Sequence, residues 1–245
     1  MKLLFYLIFV ITLTSCNNND YKISPSFVVK NKGSLKNIML KGDVSAKANL
    51  KDLEKKEHIY ALGTLENLKG EILILDSKVF NTYVDGSNLI FDDTYNTNAS
   101  LLVYANVESW LSYRLIKEIT TYQDLEYLVE EIARQNGIDI TKPFPFLIEG
   151  KLKSFDWHVI NWKDGDEEHS HKRHINSGLH GTLENQEVLL LGFYSNSHHT
   201  IFTHHTTNMH IHVKTKDNLL AGHLDDLTID SKSESYLTLK IPYNE

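Results

Sequence analysis

The chain has 245 residues, enough for one large domain or two small ones once a short leader is set aside. A formal net charge of −7 without any basic cluster argues against nucleic acid as a partner. Its single cysteine, Cys16, excludes a disulfide within the chain and asks for another explanation in an exported protein.

That explanation lies at the N-terminus. Lys2 supplies a positive start, residues 3–13 form an apolar run too short to span a bilayer, and Leu13-Thr14-Ser15-Cys16 closes it. The ending resembles a bacterial lipobox, in which the cysteine becomes the lipidated first residue of the mature protein. We therefore expect a lipoprotein signal over residues 1–15, lipidation at Cys16 and an exported bacterial lipoprotein at the cell envelope. A cytosolic protein with an apolar start is the plainer alternative. No later segment is apolar and long enough to cross a bilayer, so membrane contact is expected through the lipid anchor only.

Residues 16–36 are polar and read as a flexible spacer. Asn49 is placed to cap a short helix running to His58, with Leu50 and Leu53 inward. Short apolar runs over 61–68, 71–76, 79–84, 89–91 and 100–107 predict strands, separated first by the turn pairs Lys69-Gly70, Ser77-Lys78 and Asp85-Gly86. The period then changes. Leu125, Leu128, Val129 and Ile132 recur at helical spacing in residues 121–136, with Thr121 and Asp124 as a capping box and Gly137 at the exit.

Lys142-Pro143-Phe144-Pro145 marks a crossover, after which β character returns over residues 146–157. The word Gly63-Thr64-Leu65-Glu66-Asn67 recurs as Gly181-Thr182-Leu183-Glu184-Asn185, each time before an apolar strand. This suggests two related β units, with coincidence as the alternative. The expected fold is α+β: two β-sheet lobes of mixed or antiparallel strands with one substantial helix. An N-terminal lobe spans 37–141 and a C-terminal β lobe 142–245. Residues 163–180 carry acids and histidines and read as a solvated loop. Weaker metal sites there, or at His198-His199 and His204-His205, are an alternative.

Residues 209–223 alternate as a β-hairpin turning at Asp217-Asn218. His210 and His212 share a face, and this register sets His223 directly opposite His212, with facing Cβ atoms roughly 4.5–5.5 Å apart. Three neutral nitrogens at that range suit one divalent transition metal ion, above all zinc, with a position left open for water or substrate. In a chain with 13 histidines, a solvated histidine-rich hairpin is the alternative.

These residues carry a resemblance. Gly63-Thr64-Leu65, Leu68-x-Gly70-Glu71, Asp76, Asp85-Gly86 and the His-x-His hairpin ending in Gly222-His223 are similar to the α-acetolactate decarboxylase family from about Leu53 to Leu227. The resemblance implies zinc at His210, His212 and His223 and a small hydroxy-keto acid substrate. It also implies Glu71 near the metal as the proton donor to carbon, and Thr64 beside the substrate. By spacing alone, Glu71 reads first as an ordinary turn residue that starts a strand, and the family resemblance reverses that order. The implied reaction is decarboxylation of 2-acetolactate to acetoin; a homodimer is left open.

Two departures accompany it. His158 aligns with an arginine that holds the substrate carboxylate in the family, and a tail glutamate has no motif-matched counterpart in Glu234 or Glu245. A metal-dependent lyase for another 2-hydroxy-3-oxo acid and a non-catalytic metal-binding lipoprotein therefore stand as alternatives. For the anchor, Cys16→Ser should move the protein from the membrane fraction to a soluble exported one. Wild-type protein that is already soluble and keeps residues 1–15 would refute the lipoprotein reading.

Overall fold

The computed structural model describes residues 27–115, 119–229 and 237–243, so the leader, Cys16, Glu234 and Glu245 lie outside the described residues. Among those described, no helix is long and apolar enough to cross a membrane.

Eight strands build a first sheet: β1 (Lys30–Lys32), β2 (Ala48–Asn49), β3 (Ile59–Leu65), β4 (Glu71–Leu75), β5 (Lys78–Val79), β6 (Asn81–Asp85), β7 (Asn88–Asp92) and β8 (Asn98–Asn106). Its order is β1-β8-β3-β4-β6-β7, with β2 on β8 and β5 on β4. Six strands build the second: β9 (Trp110–Leu115), β10 (Phe144–Val159), β11 (Leu179–Tyr194), β12 (Met209–Thr215), β13 (Ala221–Thr228) and β14 (Leu237–Pro242). Here the order is β11-β12-β13-β10-β14-β9, and β11 also pairs with β10, which closes β10 to β13 into a ring. The strand pairs within both sheets are antiparallel. This is the two-lobed α+β architecture, and β9 sits in the second sheet although it precedes the main helix in the chain.

Alternation decides what faces what. In β3 and β4, Ile59, Ala61, Ile72 and Ile74 enter a small cluster with Leu50 and Leu53. Tyr60, Leu62, Leu73 and Leu75 enter the main core, which also contains Phe146, Leu190, Ile211 and Leu239 of the second sheet. Thr64 and Glu71 share parity with this second set and therefore face the other lobe. A buried hydrogen bond of 2.8 Å from Thr82 Oγ1 to Ala221 O ties the lobes together there.

Several elements differ from the sequence expectation. The segment from Asn49 is a 3-10 turn over Leu50–Asp52 instead of a helix to His58; Asn49 Oδ1 does accept from the Lys51 amide, at 2.9 Å. Leu50 and Leu53 are buried regardless, so their burial rests on strand packing and needs no helical period. The stretch read as the end of a spacer has structure of its own: Phe27 is buried, β1 pairs with β8, and helix α1 (Leu35–Lys41) begins. Pro145 lies inside β10 opposite Phe193, not in a crossover. The repeated word falls on unlike elements, β3 with its following turn and the middle of β11, although Asn67 and Asn185 share positive φ values of 58° and 56°.

The substantial helix is α2 (Tyr122–Gln135), with Leu125, Val129 and Ala133 buried. Its capping box is complete: the Asp124 amide donates to Thr121 Oγ1, and the Thr121 amide to Asp124 Oδ2, both at 3.1 Å. A third helix, α3 (His171–Asn176), lies within the stretch expected to be a solvated loop. Replacing the N-cap by Thr121→Ala should cost about 1 kcal/mol, seen as a lower urea midpoint at unchanged slope. An unchanged midpoint would mean that docking on the sheet, and not the cap, holds this end.

Candidate functional site

The hairpin of β12 and β13 pairs His212 with His223, in the register expected from its turn. On the far edge of β13, His223 pairs with His158 of β10. Residues paired across adjacent strands share a face, so His212, His223 and His158 form a row across three strands. His210 joins from two residues upstream. The ring centres of His210, His212 and His223 lie 5.0–5.4 Å apart, and those of His158 and His223 4.7 Å. Rings held through one nitrogen at about 2.0–2.1 Å from a shared zinc ion have centres roughly 5 Å apart.

Glu71 reaches the row from the other sheet. It is buried at the start of β4 opposite Thr64, and its Oε1 accepts from the Ile160 amide at 3.2 Å. Its Oε2 lies 3.6 Å from His212 Nε2, and Oε1 lies 3.9 Å from His158 Nε2. Glu71 Oε2, His210 Nδ1, both nitrogens of His212 and Thr64 Oγ1 are buried without a hydrogen-bond partner. Each such atom costs about 1–3 kcal/mol. Their concentration at one point, as imidazole nitrogens and a carboxylate oxygen, fits a divalent ion such as zinc.

Asp225, two residues beyond His223 on β13, completes the group. His158 Nδ1 lies 2.8 Å and 2.9 Å from its two oxygens; a carboxylate only accepts, so this nitrogen donates. His223 Nδ1 is 3.2 Å from the same carboxylate, outside good alignment for a hydrogen bond. One donor atom from each of His158, His223 and Asp225 fits within 4.8 Å of the others. Burial raises the Asp225 carboxyl, but the hydrogen bond from His158 and the nearby His223 imidazole outweigh it and hold the group low. Burial pushes Glu71 well above the usual carboxylate range. It pushes His210 and His212 well below the usual imidazole range, and His223 below it, so these rings offer lone pairs and no charge.

The group opens on a cavity of about 1090 Å³ between the lobes, lined by Thr64, Glu71, His158, His210 and His223 among others. His212 is fully buried. Glu126 of α2 accepts from Thr207 Oγ1 and, at 2.9 Å and 2.8 Å, from the amide and side chain of Asn208, which pins the segment entering β12. Of the other histidine clusters, α3 brings His171 to the cavity wall, 6.5 Å from His158, and His204 and His205 also line it. His169 and His174 bond each other at 2.9 Å against Trp162. His198 instead bonds Ser195 and His199 bonds Asn208. The loop reading thus missed that α3 carries a wall of the cavity. Asp225 was missed too, although His223-x-Asp225 repeats the period of two that marks His210 and His212.

The sequence matches the family described as alpha-acetolactate decarboxylase over residues 32–240. No curated protein matches the chain. Among solved structures, α-acetolactate decarboxylase from Bacillus subtilis strain 168 superposes with a TM-score of 0.71 at 12% identity, covering 89% of this chain and 86% of that one. The acetolactate decarboxylase of Bacillus subtilis subspecies spizizenii gives 0.71 at 13% identity, with coverages of 89% and 86%. A Staphylococcus aureus protein of unknown function similar to alpha-acetolactate decarboxylase gives 0.66 at 16%, again covering 89% and 86%. At these identities the likeness establishes the fold.

The buried imidazoles make the metal-free protein acid-sensitive. Their folded pKa values lie below the unfolded value of about 6.5, so the unfolded state binds more protons below that pH. Stability measured by urea in excess chelator should therefore fall as pH drops from about 6.5. Glu71, raised in the folded state, works in the opposite sense, so Glu71→Gln should steepen the loss. A flat profile between pH values of about 7 and 5 would contradict this electrostatic picture.

Proposed function

We propose, for a chain that belongs to the alpha-acetolactate decarboxylase family, that it decarboxylates 2-acetolactate to acetoin with zinc as its metal. The observation that carries this reading is the buried Glu71 carboxyl at the cavity wall, set between His158 and His212 beside nitrogens that lack partners. In such a reaction the bond between the carboxylate carbon and its neighbour breaks. Carbon dioxide leaves, and the electron pair spreads over the adjacent oxygens as an enediolate before one proton closes the carbon.

His210, His212 and His223 would hold the zinc ion, which when bound supplies Lewis-acid stabilisation of the developing oxygen charge. Glu71, kept protonated by burial, is the group that gives its proton to carbon. The Thr64 hydroxyl, buried and without a partner, is free to hydrogen-bond a substrate oxygen. Histidines and helices α1 and α3 line the cavity in which the reacting carbon would sit. Anchoring through Cys16 would place this activity at the cell envelope.

A second reading, a metal-binding lipoprotein without catalysis or a lyase for another 2-hydroxy-3-oxo acid, draws on one observation. Among the described residues no arginine lines the cavity to hold a substrate carboxylate. Incubating the purified zinc-loaded chain with 2-acetolactate and following acetoin and carbon dioxide separates the two. Turnover should appear and fall by about 10²–10⁴-fold in Glu71→Gln, with zinc retained, whereas His212→Ala should lose zinc as well. Full zinc occupancy with no turnover of acetolactate would exclude the decarboxylase reading.

A further inference from the structure

The family resemblance sets His158 where an arginine grips the substrate carboxylate, but here it lies in the row of histidines across β12, β13 and β10. We propose that His158 is a fourth imidazole of the metal centre, oriented by Asp225. The inference rests on the reading that His210, His212 and His223 hold a divalent ion.

Three observations support it. The first is register: His158 faces His223 across β10 and β13 as His212 faces it across β12 and β13, so one strand pairing extends the triad to a fourth ring. The second is direction. With Nδ1 donating to Asp225, the ring of His158 is fixed in tautomer and orientation, and Nε2 is left free 3.9 Å from Glu71 Oε1. Glu71 Oε2 in turn lies 3.6 Å from His212 Nε2. Both separations are too long for hydrogen bonds. Glu71 therefore engages neither Nε2, and both nitrogens stay available to a common ion beside it.

The third observation is charge. A cationic His158 beside the Asp225 carboxylate leaves that pair with no net charge, and a neutral His158 leaves it negative. Asp226 and Glu126 line the same cavity. An anionic substrate group would thus meet a net-neutral or negative neighbour at His158, unlike the fixed cation of a guanidinium. As a metal ligand, by contrast, the pair forms a carboxylate–histidine–metal arrangement of the kind that strengthens ligand basicity.

The test uses the full chain in detergent, loaded with zinc. X-ray absorption fine structure on wild type should count four imidazoles, a measurement that does not depend on any variant folding. In competition with a chelator, Asp225→Asn should weaken zinc binding by about 10–100-fold, and His158→Gln by more. Cobalt substituted for zinc should change its visible spectrum in His158→Gln. A count of three, with wild-type zinc affinity in His158→Gln, would overturn the proposal while leaving the three-histidine site standing. Wild type that binds no zinc would overturn both.

Discussion

Glu71 and the imidazoles of His158, His210 and His212 are buried where the two sheets meet, and the architecture serves to hold them there. Buried polar atoms without partners are costly, and several here lack one within the protein. Such a group survives in a fold only when the surrounding packing supplies the stability and an external partner satisfies the atoms. The continuous apolar core, shared by Leu73 and Leu62 of one sheet with Ile211 and Phe146 of the other, supplies the first. A divalent ion would satisfy the nitrogens and the carboxylate oxygen together.

Close backbone approach makes this geometry possible. A Cβ on Gly222 would stand 2.7 Å from the carbonyl oxygen of His158, so only glycine lets β13 lie against β10 closely enough to set His223 on His158. Gly70, with φ of 151°, would bring a Cβ to 2.1 Å from the Thr82 carbonyl oxygen, and it precedes the residue whose carboxyl must cross to the other lobe. From there the Ile160 amide, just past the end of β10, fixes one oxygen of Glu71. The site is thus assembled from strand ends and strand pairings, and α2 contributes by holding the segment that enters β12.

Electrostatically the site separates its roles. Burial leaves the hairpin histidines uncharged and able to give lone pairs, and leaves Glu71 with its proton. Asp225 alone is held in its charged form, by the imidazoles that it orients. Two carboxyls of opposite tendency thus lie within one site, one favouring its protonated form and the other its charged form.

The sequence alone determined what local rules control. The period of two over residues 209–223 and the turn between its arms place His212 opposite His223, and the capping box marks the start of α2. The short apolar runs with their turn pairs marked most strands of the first sheet, and the motif around Glu71 pointed to the family. Tertiary structure decided what depends on pairings between distant segments. That β10 lies beside β13, and so brings His158 to His223 and Asp225, follows from a ladder closed across more than sixty intervening residues, about which neither segment carries a local signal. The same holds for Glu71, whose spacing is that of an ordinary strand start until the second sheet packs against it. Helix α3 escaped notice because its six residues bury none of their side chains, leaving no apolar period to read.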